Sequence, residues 1–169
     1  MKHFLAWFLI FTTILCVCGC AQKEPEIQSP VTFYYRRSEV SFEDSTGVIV
    51  EETQEASGHE NDLSELMKQY FRGPVSSDMH YTFPNGTDLI SLRVQNDQAQ
   101  VLVTNHLADA KGLDLTIACA CITMTVMELT GAKSVEIKAE HALLNDAESI
   151  VMDAETLLML DDTAMDTAE

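Results

Sequence analysis

The hydrophobic pattern changes period several times along the chain, and each change marks an element. Val31-Thr32-Phe33-Tyr34-Tyr35 is β-branched and aromatic throughout, which predicts a strand closed by Arg36 and Arg37. After a polar loop, Ser38–Thr46, residues Val48 to Thr53 predict a second strand. A loop around Gly58 follows. From Asn61 to Arg72 the period becomes helical, because Leu63, Leu66, Met67 and Tyr70 fall at i, i+3, i+4 and i+7 on one face. Asn61 is placed to cap this helix. Asp62 and Glu65 in the first turn, with Lys68 and Arg72 near the end, suit its dipole. Gly73 supplies a left-handed terminal residue and Pro74 forbids continuation.

Alternation with period two returns after Phe83-Pro84-Asn85-Gly86-Thr87. It predicts strands Asp88–Gln95 and Gln98–Thr104, joined by Asn96-Asp97, two residues that tolerate the positive φ angles of a tight hairpin. Ile90, Leu92 and Val94 are expected to point one way, answered by Ala99, Val101 and Val103. In Asp114–Leu129 the many β-branched residues favour a strand and the length favours a helix. With Asp114 as cap and Gly131 as terminator, the reading is a buried helix, apolar on most sides. Ser134–Glu140 predicts a last strand with Val135, Ile137 and Ala139 facing in. Two short apolar runs, Ile150-Val151-Met152 and Leu157-Leu158 with Leu160, are bounded by acids. They predict a C-terminal hairpin or strand pair on the sheet edge, with a short amphipathic helix as the alternative. Asp161–Glu169 is expected to be disordered. The elements add up to an α+β domain: a small mixed sheet with two helices packed on one face, in the order β-β-α-β-β-α-β. Leu66, Tyr70, Leu92, Val101, Ile117 and Ile137 should share its core.

The N-terminus belongs to no such pattern. Lys2 precedes an apolar run, Phe4 to Leu15, too short for the ~20 residues of a spanning helix. This is the form of a secretory signal. It ends in Val17-Cys18-Gly19-Cys20, which resembles a bacterial lipobox and makes residues 1–19 a lipoprotein signal peptide and Cys20 the lipidated N-terminus. Residues 20–30 then form a flexible tether, polar and carrying Pro25 and Pro30. The folded domain spans 31–140, and 141–169 is an acidic extension.

Charge narrows the possible partners. The formal net charge is −17, with no Lys or Arg from Ser38 to Met67 or from Ala139 to the end. Such a chain is a poor nucleic-acid binder, since phosphate contacts are built from Lys and Arg. An acidic body is also repelled from anionic head groups.

Reactive constellations are sparse. Cys119-Ala120-Cys121 lacks redox Cys-x-x-Cys spacing, and residues two apart on a helix point about 200° apart, so both read as small buried hydrophobes. His59, His80, His106 and His141 show no metal-ligand spacing. His106 with Asp109 lacks a nucleophile elbow to serve. Asn85-Gly86-Thr87 reads as a turn. Met124, Met127, Met152 and Met159 read as packing. No catalytic, cofactor or metal residue is therefore assigned, and Cys20 is the one site residue.

The order of elements and punctuation resembles the GerMN domain of spore germination and sporulation lipoproteins. The resemblance is carried by Phe33-Tyr34-Tyr35, Gly73-Pro74, Phe83-Pro84-Asn85-Gly86-Thr87 with the hairpin after it, and Thr125 to Val135. The chain departs from the family's pattern at Glu51-Glu52-Thr53 and at Val103-Thr104-Asn105-His106. The resemblance implies a non-enzymatic extracytoplasmic module, similar in topology to ring-building domains of secretion and sporulation channels. On this reading the chain is a membrane-anchored interaction or assembly lipoprotein, held by lipid on Cys20 at the outer face of the bacterial cell membrane. It would bind another envelope protein or itself. The alternative is a lipoprotein that binds a small ligand or cell-wall fragment. Replacing Cys20 with Ala should move the protein from the membrane to the soluble fraction on cell fractionation; retention in the membrane would refute the anchor.

Overall fold

A computed structural model of the chain describes residues 30–39, 47–56, 58–59 and 61–157. The signal peptide, Cys20, the tether before Pro30, most of the Ser38–Thr46 loop, Met159 and the tail Asp161–Glu169 lie outside these residues. The first strand, β1 (Pro30–Arg37), pairs antiparallel with β2 (Ile49–Glu55). The expected helix follows as α1 (Leu63–Phe71). Its cap is Asp62 rather than Asn61. Asp62 has an extended backbone, and its carboxylate accepts from the backbone N–H groups of Ser64 and Glu65 at 3.0 and 3.2 Å. A two-residue strand, β3 (Met79–His80), pairs with the far end of β1.

The hairpin is β4 (Leu89–Gln95) and β5 (Gln98–Val103), and its turn residues Asn96 and Asp97 have φ of 52° and 61°. Pairing runs Val94↔Ala99 and Leu92↔Val101, then slips, so that Leu89 rather than Ile90 lies opposite Val103. This bulge corrects the expected alternation. Ile90 is the extra residue, unpaired and 42% exposed, and Leu89 takes the inward place. A 3₁₀ turn (Asn105–Asp109) leads into α2 (Gly112–Thr130). That helix starts before Asp114, which sits in its first turn and pairs with Arg36 at 2.8 Å instead of capping. Gly131 ends it in the left-handed region, as expected. β6 (Ser134–Ala139) returns parallel to β5, buries Val135, Ile137 and Ala139, and pairs antiparallel with β7 (Ile150–Asp153). The first C-terminal apolar run is thus an edge strand, and residues 154–157 are helical.

The α+β class holds, but the strands divide into two sheets, β2-β1-β3 and β4-β5-β6-β7. The reason lies at the open edge of β1. β3 covers only its end, so the backbone N–H of Tyr34 donates to Thr125 Oγ1 at 3.0 Å and that of Arg36 to Thr82 Oγ1 at 3.1 Å. Buried N–H groups must find acceptors. Here side-chain hydroxyls supply them, and β1 takes no further strand there. The Thr125 hydroxyl belongs to α2, which packs on β1 of one sheet and on β5, β6 and β7 of the other. A helix held between two sheets is buried nearly all round, which explains its apolar composition. Ile117 to Thr123 are all buried.

The core is continuous across both sheets. Tyr70, Val101 and Ile137 belong to its main cluster and Leu92 packs against it; Leu66 and Ile117 are buried outside that cluster. At one end Phe33, Tyr35, Tyr70, Phe71 and Phe83 pack ring against ring, with neighbouring centroids 5.0 to 6.4 Å apart. Two buried phenols are satisfied across this cluster. Tyr35 Oη donates to the Tyr70 carbonyl at 2.9 Å, and Tyr70 Oη donates to the Tyr34 carbonyl at 3.1 Å.

Burial pushes the Cys119 and Cys121 thiols up to about 12 and raises the Tyr35 and Tyr70 phenols above their ordinary value of 10. Each group is held neutral in the folded state. Its contribution is therefore intact below the unfolded pKa and is lost as pH rises toward the folded one. Denaturation monitored against pH should show stability falling from about pH 9, where unfolded thiols ionise. In the Cys119→Ala/Cys121→Ala variant the onset should move up by about one unit, to where unfolded tyrosines ionise.

Candidate functional site

The two turns that punctuate the sequence meet in space. Gly73, after α1, has φ of 102°, and a Cβ there would stand 2.7 Å from Cδ2 of the Tyr81 ring. Tyr81 lies over it because its hydroxyl donates to the Phe71 carbonyl at 3.0 Å and its ring meets Phe83 edge-on. Phe83 in turn packs on Phe71, 5.0 Å between centroids, so the end of α1 and the 83–87 turn share one aromatic contact. Thr104, at the end of β5, staples that turn: its hydroxyl donates to the Gly86 carbonyl at 2.8 Å and accepts from the Asp88 N–H at 3.2 Å. His106 lies against Gly86, where a Cβ would meet its ring at 3.1 Å. The segment after the hairpin therefore grips the turn, with Thr104 and His106 as the gripping residues.

Between the last turn of α1 and residues 86–88 lies a cleft of about 270 Å³, lined by Lys68, Phe71, Arg72, Gly86, Thr87 and Asp88. Lys68 pairs with Glu65 at 2.7 Å. Arg72 is exposed, and its guanidinium makes no ion pair or hydrogen bond among the described residues. Thr87 is buried, and its hydroxyl has no partner among the described residues. Asp88 accepts from the Leu89 N–H at 2.7 Å. The sequence placed Lys68 and Arg72 only as complements to a helix dipole. Their i, i+4 spacing, right after a base-free stretch, was the available signal for a shared cationic face.

Residues 32–144 match the model of the Germane family, described as sporulation and spore germination. The chain belongs to the Germane family. That membership ties it to sporulation or spore germination. No curated protein and no solved structure matches it. Within this Germane domain the matched residues run from Thr32, the third residue of β1, to Leu144, which is buried at the turn after β6; β7 lies beyond them.

The departure at Glu51-Glu52-Thr53 gains a structural role. The Glu52 carboxylate is buried and accepts from the backbone N–H groups of Val75 and Ser76, the latter at 2.6 Å, and from Gln54 Nε2 at 2.5 Å. It tethers the segment after Gly73-Pro74 to β2. An acid serves here because only an acceptor satisfies these donors.

The other candidate residues do not come together. Cys119 and Cys121 are buried on opposite sides of α2 without a disulfide, whereas His59, His80, His106 and His141 are exposed. Asp109 closes the 3₁₀ turn that carries His106, and Cys119 is out of solvent reach. Among the described residues no three His, Cys, Asp or Glu side chains are grouped to hold a metal ion. Met124 and Met127 are partly buried on α2, and Met152 is buried on β7. Cys20 lies outside the described residues.

Gly73→Ala should cost about 3 kcal/mol, combining a left-handed φ with displacement of the Tyr81 ring. Gly131→Ala, with φ of 69° and nothing within 4 Å of its added carbon, should cost only about 1 kcal/mol. Urea midpoints of the two variants measure the difference.

Proposed function

We propose that this protein is an extracytoplasmic lipoprotein, anchored through lipid on Cys20, that acts as a non-enzymatic protein-interaction or assembly module in sporulation or germination. The observation that carries the reading is the chemistry of the two edges of the four-stranded sheet. β4 and β7 each pair on one side only, and they present Ile90, Val94 and Val151, which are 42%, 44% and 53% exposed. Edge strands with branched apolar residues are surfaces that another chain extends by strand addition. A lipid anchor would raise the effective concentration of such a surface along a membrane. The acids between Glu39 and Glu65 favour a basic partner surface and a salt-sensitive association rate.

The remaining chemistry supports a shape-defining role. The sequence's strongest motifs are turns, and the buried polar groups described above mostly serve backbone partners. Photo-crosslinking the full chain in its native membranes tests the proposal. A crosslinker at position 90, 94 or 151 should trap one defined envelope partner or a second copy, and one at Leu113, exposed on α2, should not. Equal trapping at Leu113 would overturn the edge reading. Hydrolytic turnover of cell-wall or ester substrates that disappears with His106→Ala, Asp109→Ala or Cys119→Ala would overturn the non-enzymatic one.

A further inference from the structure

We infer that the cleft between the end of α1 and the 86–88 turn binds a small zwitterion of amino-acid or dipeptide size, its carboxylate against Lys68 and Arg72 and its ammonium group against Asp88. The lining fixes the chemistry. Two cations one helical turn apart offer donors to a carboxylate, and Arg72 has no acceptor of its own among the described residues. Across the cleft, on the 86–88 turn, Asp88 has Oδ1 committed to the Leu89 N–H, and its Oδ2, without a hydrogen-bond partner among the described residues, can accept from an ammonium group. Phe71 contributes an apolar surface suited to a small side chain. Thr87 adds a buried hydroxyl that lacks a partner among the described residues, and such groups ordinarily have one.

Charge selects a zwitterion over a simple anion. Asp88, with Glu65 beside Lys68, opposes a ligand that carries negative charge alone. At longer range a chain of net charge −17 repels free anions, whereas a neutral zwitterion feels no such barrier. A simple cation would meet Lys68 and Arg72. The volume, about 270 Å³, falls just below the range of drug-sized pockets and suits one or two residues of peptide. The lining residues of the cleft are not the strand-edge residues Ile90, Val94 and Val151, so either assignment can fail without the other.

The test is a titration of the purified full-length chain, ¹⁵N-labelled and followed by amide chemical shifts at low salt. The probes are alanyl-alanine, its N-acetyl derivative and its C-terminal amide. Alanyl-alanine should shift the amides of Phe71, Arg72, Gly86, Thr87 and Asp88. Each blocked form should bind at least about tenfold more weakly, the loss of one charge-assisted contact. Arg72→Gln, an exposed change whose spectrum reports its own folding, should weaken alanyl-alanine by about tenfold. Asp88→Asn should remove the penalty on the N-acetyl form. No shift at these amides in tens of millimolar probe, equal binding of all three probes, or an unchanged affinity in Arg72→Gln would each overturn the assignment.

Discussion

The fold depends on a pair of hydrogen bonds exchanged between β1 and α1. Tyr35 donates to the Tyr70 carbonyl and Tyr70 donates to the Tyr34 carbonyl, with the two rings stacked 5.0 Å apart between them. Each phenol thereby escapes the penalty of an unpartnered hydroxyl in an apolar cluster. Neither tyrosine can shift without unseating the other, so strand and helix are fixed in distance and in rotation. The rest of the aromatic cluster is registered from this pair. Phe71 follows Tyr70 and is set against Phe83, Phe83 sets the turn after it, and that turn sets the start of the hairpin. A chain with modest aromatic content has placed five of these rings at one junction.

Much of this architecture was legible in the sequence because local and global preferences agree. The Asn96-Asp97 turn, the inward set of β6 and the left-handed stop at Gly131 are each dictated by their own residues. The failures occur where two neighbouring residues are equally suited to one place. Asn61 and Asp62 both make good caps, and the backbone at Asp62 decides between them. Leu89 and Ile90 are both apolar, so alternation alone cannot choose the strand's phase; Val103 on the partner strand chooses it. The division into two sheets was not legible, because it turns on hydroxyls of Thr82 and Thr125, residues whose β-branched side chains read equally well as strand or core.

The cleft was illegible for a different reason. Every residue lining it has an adequate local explanation: Lys68 and Arg72 at a helix end, Gly86 and Thr87 in a turn, Asp88 opening a strand. The packing of Tyr70 and Phe71 on Phe83, with the Tyr81 hydroxyl on the Phe71 carbonyl, brings the two segments together. Cys20 presents the reverse case. Its signal is purely local, Val17-Cys18-Gly19 after an apolar run, and needs no tertiary contact to be read.

The hydrogen bond from Tyr34 to Thr125 spans 91 residues of chain. It joins the first strand of the domain to the far half of its central helix, and α2 also supplies the surface on which β1 rests. A polypeptide that emerges N-terminus first therefore brings out β1, with its edge donors and aromatic side chains, long before the partner that satisfies them. Local pieces such as the β4–β5 hairpin can form early, but the assembled domain must wait until α2 has emerged. During that interval the strand is exposed to wrong pairings and is the segment most in need of protection.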